Sequence, residues 1–107
     1  MLIEQGLKDQ VTTFKMVTGE EVITQVVEEH ETHYIVEKPF AFIMQKQGPA
    51  MAPIFISVDW ENVPITVYKS AITMTGNPKK EMIDGYHTVV KQLTSKLITP
   101  EAPKIIT

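Results

Sequence analysis

Two histidines and three glutamates crowd one short stretch, Glu28-Glu29-His30-Glu31-Thr32-His33. Imidazole nitrogens and carboxylate oxygens are ligands that suit a divalent metal ion. Neighbouring residues of a strand point to opposite faces, however, so few of these side chains can converge on one ion within one chain. A solvated turn is the simpler reading, and no metal site is expected. The pair Tyr68-Lys69 offers different chemistry: an ammonium for a phosphate or a base edge, beside a ring that stacks or hydrogen-bonds. The plainer alternative has Tyr68 packing and Lys69 as a solvated edge residue. Asp59, Glu61 and Asp84 are the other carboxylates that suggest acid–base work. No paired nucleophile, phosphate-binding glycine loop or base with an orienting partner accompanies them. His87, next to Tyr86, reads as the flank of a helix stripe. Neither an enzyme nor a cofactor is expected.

Composition narrows the classes further. A chain of 107 residues, 43% apolar, forms one domain with a single modest core. With no cysteine there is no disulfide, no thiolate metal site and no thiol nucleophile. Nothing resembles a signal peptide and no apolar run approaches membrane-spanning length, so a soluble, cytoplasmic protein without a membrane partner is expected. The net charge is −3 and arginine is absent. Broad wrapping on duplex nucleic acid relies on many phosphate-neutralising cations and is excluded; a local RNA pocket is not.

The elements that must position these residues are mostly strands. Val11 to Val17 alternates, with Thr12, Phe14 and Met16 on one face, and Thr18-Gly19 turns the chain. Glu20 to Glu29 is a second strand, apolar on both faces at Val22, Val26, Ile23 and Val27. After the charged turn, His33 to Gln45 is long for one strand, and Pro39 should break or kink it. Residues 47–53 read as a Gly/Pro-rich loop. Ile54, Ile56, Val58 and Trp60 alternate as a fourth strand, Trp60 serving as core or subunit interface. After Pro64, residues 65–75 resume extended structure. Asn77 then suits an N-cap and Pro78 a first helical position, ahead of a stripe of Met82, Ile83, Tyr86, Val89, Val90, Leu93 and Leu97. The expected layout is an arm (1–10), a β domain (11–76), a helix (77–99) and a tail (100–107).

Val17-Thr18-Gly19-Glu20-Glu21-Val22 resembles the first motif of the Sm-like family, in which an apolar strand meets a glycine turn and a long second strand. Val67-Tyr68-Lys69-Ser70-Ala71-Ile72 is similar to the Hfq form of the second motif. Thr24 stands where most members carry a second glycine, His30 and Tyr34 replace the usual Asp and Asn, and Ser70 replaces the motif histidine. The helix follows the strands, whereas the family usually places one before them. That arrangement, with its Thr73-Met74-Thr75-Gly76-Asn77-Pro78 exit, resembles small Sm-like proteins of T4-like phages and cyanophages.

The resemblance implies a mainly β fold, a strongly bent five-stranded antiparallel SH3-like barrel with a C-terminal helix. It implies a homo-oligomeric ring of about five to seven subunits, sealed along Ile65, Val67, Ile72 and Met74. It also implies single-stranded RNA as the ligand, held by His33, Tyr34, Tyr68 and Lys69. A second expectation is a structural or protein-interaction ring that has lost RNA binding. The negative charge, the missing arginine and the altered pocket residues favour this one, while the family resemblance puts RNA binding slightly ahead.

Overall fold

The computed structural model describes residues 10–98. The strands are β1 (Val11–Met16), β2 (Glu21–Glu29), β3 (His33–Gln45), β4 (Gly48–Pro53), β5 (Ile65–Tyr68) and β6 (Ile72–Gly76), followed by helix α1 (Lys80–Ile98). A single 3-10 turn, Lys69–Ala71, joins β5 to β6. The protein is mainly β, a six-stranded antiparallel sheet with one C-terminal helix among the described residues. Residues 1–9 of the arm expected at 1–10 and the whole tail expected at 100–107 lie outside them, as does the Leu97 side chain.

Two readings of the middle of the chain are corrected. Residues 48–53 are a sixth strand, not part of a loop, and they pair with β3 from Gln45↔Gly48 to Phe40↔Pro53. Gly48 has φ +125°, which a tight hairpin after Lys46-Gln47 requires. The prolines that argued for a loop are tolerated because β4 is an edge strand. Conversely, Ile54 to Trp60 is not a strand. Asp59 nucleates a turn there, its carbonyl accepting from the Asn62 and Val63 amides at 3.2 and 3.1 Å. Its carboxylate accepts from the Asn62 amide group at 3.1 and 3.2 Å. The alternation located the inward residue, Trp60, but the segment pairs with no strand. Helix α1 also starts later than Asn77, at Lys80.

Connectivity forces the sheet to curl. The order is β4-β3-β2-β1-β6, and β5 pairs with β3. In a flat sheet β5 and β6 would lie four strand spacings apart, roughly 19 Å. Three residues of 3-10 turn advance only about 6 Å. The flanks must therefore approach each other. The inner face packs Phe14, Val22, Val26, Tyr34 and Val36, with Met16, Ile65, Val67 and Ile72 against them. The outer face packs Ile23, Phe40 and Trp60 against Tyr86 of α1, with Val89, Val90 and Leu93 alongside.

β3 is irregular at its middle. Opposite Thr24, β3 carries an extra residue: Ile23 pairs with Phe40 and Gln25 with Glu37. Lys38 there has φ +51°, a left-handed conformation costing a lysine on the order of 1–2 kcal/mol. Two buried hydroxyls brace it. Thr24 donates to the Glu37 carbonyl at 2.8 Å, and Tyr86 donates to the Lys38 carbonyl at 2.7 Å. At about 1 kcal/mol net each, these bonds offset the strain. Thr24 thus holds the bend at the position where the resemblance anticipates a glycine.

Burial raises the Tyr86 pKa well above its ordinary 10.0; the Gln25 backbone pulls it partly back and the Glu37 charge adds to the rise. A raised phenol pKa means that the folded state favours the protonated form. Its contribution is complete below pH 10 and is lost as pH climbs from there through the folded pKa. Tyr86→Phe should cost about 1–2 kcal/mol in urea unfolding at neutral pH and flatten the loss of stability above pH ~10. An unchanged urea midpoint would show that the bend does not need the hydroxyl.

Candidate nucleic-acid interface

The start of β3 and the whole of β5 run antiparallel, pairing His33 with Tyr68 and Tyr34 with Val67. The Lys69 amide donates to the Thr32 carbonyl at 2.9 Å, tying the 3-10 turn to the β2–β3 turn. His33, Tyr34, Tyr68 and Lys69 consequently share one corner of the sheet. They divide into two pairs with opposite surroundings.

Tyr34 belongs to the core. It is only 7% exposed, and its ring stacks on Phe14 with centroids 5.1 Å apart. The Lys69 ammonium lies over the same ring, 5.0 Å from its centroid. That ammonium also donates to a Glu29 carboxylate oxygen at 2.9 Å. Burial raises the Tyr34 pKa, the Glu29 charge raises it further, and Lys69 pulls it back. The ring face and the cation expected to meet RNA are therefore engaged with each other and with Glu29. A hollow of about 250 Å3 beside them is lined by Ile72 and Met74 among others, smaller than a usual ligand cleft.

Tyr68 and His33 face outward. Tyr68 is 59% exposed, and its ring centroid is 6.0 Å from that of His33. His30 extends the row, stacked on His33 at 4.7 Å with 24° between the planes. The His30 ring hydrogen-bonds the Glu28 carboxylate at 2.7 Å and His33 hydrogen-bonds the Thr32 hydroxyl at 2.9 Å, so both rings are held in place. His30 is not among the RNA contacts that the sequence leads one to expect. The available signal was its spacing of three from His33 across a tight reversal, where the His30 amide donates to the His33 carbonyl at 2.8 Å. Among the described residues no three His, Cys, Asp or Glu side chains are grouped to hold a metal ion.

The remaining candidates have structural neighbours. Asp59 caps its own turn, and Asp84 pairs with Lys80 at 3.3 Å along the helix. Of the seam residues, Ile65, Val67 and Ile72 pack on the inner cluster while Met74 is 63% exposed. Within the described sheet, β5 pairs only with β3 and β6 only with β1, so each leaves one edge without a strand. No described helix is long and apolar enough to cross a membrane. No protein-family model matches the chain, and no curated protein matches it.

The Lys69–Tyr34 contact has a spectroscopic consequence. Lys69→Met should move the midpoint of tyrosinate absorbance for Tyr34 to higher pH, because the group that lowers it is gone. A downward shift would mean that the ammonium does not sit on the ring.

Proposed function

We propose that this chain is a non-enzymatic Sm-like barrel that joins edge to edge with copies of itself and serves as a structural or protein-interaction ring. The two unpartnered edges, β5 and β6, support the assembly, since they belong to different strands on either side of one short turn. An open edge invites pairing, and head-to-tail pairing of two different edges closes into rings. The third edge, β4, carries Pro49 and Pro53 and is a poor template. The ring of about five to seven subunits rests on the family resemblance. The phage-type resemblance implies a cytoplasmic protein of the infected cell.

The Lys69–Glu29 ion pair carries the choice of a protein scaffold over an RNA chaperone. A phosphate would have to displace a carboxylate that already holds the ammonium, at a corner that also bears Glu28 and Glu31. One observation favours the second reading, binding of single-stranded RNA: the row of Tyr68, half-buried His33 and His30 offers rings on which bases stack.

Fluorescent oligo(U) and oligo(A), titrated across a salt series, separate the two. The scaffold reading expects no binding at micromolar protein, with salt-sensitive binding emerging in Glu29→Gln as Lys69 is released. Wild-type binding that weakens with salt and disappears in Lys69→Ala would establish the RNA reading instead. For the assembly, Met74→Lys should reduce the mass by light scattering to that of one chain and leave the thermal midpoint of the monomer unchanged. Retention of the ring in that variant would remove β6 from the seam.

A further inference from the structure

We propose that the loop 54–63 of one copy docks in the groove beside helix α1 of the next copy, with Ile56 as its anchor. The inference rests on the edge-pairing reading and adds to it a contact that the strands alone do not make.

The loop is built as a rigid display. Trp60 is buried at its base, edge-on to Phe40 with centroids 5.2 Å apart. The Asp59 turn fixes its second half. From this base Ile56 projects completely into solvent, and Ile54 and Val63 are exposed on either side. Three exposed aliphatic side chains thus fall on one pinned loop.

The matching cavity lies where the helix stops covering the sheet. A groove of about 630 Å3 runs between the β3–β4 hairpin and the start of α1, walled by Phe42, Met44, Pro49, Pro78 and Met82. It has room for several side chains, and its methionines adapt to what enters. Glu20, Glu21 and Lys79 also line it, so charged groups stand beside the apolar ones.

Strand direction brings the two together. Every pairing in the sheet is antiparallel. Continued across the seam, β5 of one copy runs against β6 of the next. Residues that precede Ile65 then lie beside residues that follow Gly76 in the neighbour. The former are the loop ending at Pro64; the latter, through Met82, form a wall of the groove. The same chain cannot satisfy both halves along this seam, because its β5 and β6 do not pair with each other. A second copy is the occupant that the topology selects.

The absence of cysteine makes the test specific. Ile56→Cys combined with Lys79→Cys, oxidised mildly, should give a non-reducing gel ladder extending beyond the dimer. Each single variant should not pass the dimer. Ile56→Asp should weaken association by about tenfold or more, as expected for losing a buried isoleucine. A wild-type ring whose double variant yields no ladder, or whose Ile56→Asp variant associates as before, overturns the docking and leaves edge pairing intact. A wild-type protein that is a single chain by light scattering overturns both.

Discussion

One lysine held in the left-handed region organises this molecule. Lys38 interrupts a thirteen-residue strand, and the bend it makes lets the first part of β3 pair with β5 while the second part pairs with β4. A lysine has no side-chain reason to adopt φ +51°, and the proline after it disfavours the helical alternatives without specifying this one. The conformation persists because hydroxyls from two other elements, Thr24 in β2 and Tyr86 in α1, hold the adjoining carbonyls. The helix is therefore more than a lid on an apolar face. It is part of the machinery that shapes the strand beneath it.

From that bend follow the two packing layers and the chemistry of the corner. The inner layer closes around Phe14 and Val36, and it draws Tyr34 in with them. A tyrosine at the end of a flat strand would offer its ring to solvent. Here curvature buries the ring, and Lys69 and Glu29 complete the cover. The same curvature turns Tyr68 outward, because strand neighbours alternate and Val67 takes the inward position. Aromatic and cationic residue types that suggest one binding pocket are thus divided between a packed interior and an outward-facing row.

Local rules made part of this legible in the sequence. Alternation found β1 and β2, Gly19 marked their turn with φ +104°, and the helical stripe located α1. What stayed hidden depends on contacts between distant parts of the chain. Nothing in Glu37-Lys38-Pro39 states that Tyr86, 48 positions on, will brace a kink. Likewise, Lys69 and Glu29 are 40 positions apart and meet because β2 and β5 both pair with the start of β3. Pro49 and Pro53 read as loop residues for a sound reason, since proline cannot donate to a ladder, and only the edge position of β4 makes them acceptable. The Ile54 to Trp60 alternation has the opposite history: a strand pattern without a partner, overridden by the Asp59 turn.

The single tryptophan has a use apart from packing. Its indole is lodged in the outer layer, edge-on to Phe40 and in the same cluster as Tyr86, while the inner layer contains no indole at all. Tryptophan emission, excited selectively, therefore watches one interface and is blind to the other. A change in emission reports helix α1 leaving the sheet, and far-ultraviolet dichroism reports the strands themselves. If the two signals fall out of step on warming or in denaturant, the helix layer and the curled sheet melt as separate cooperative units.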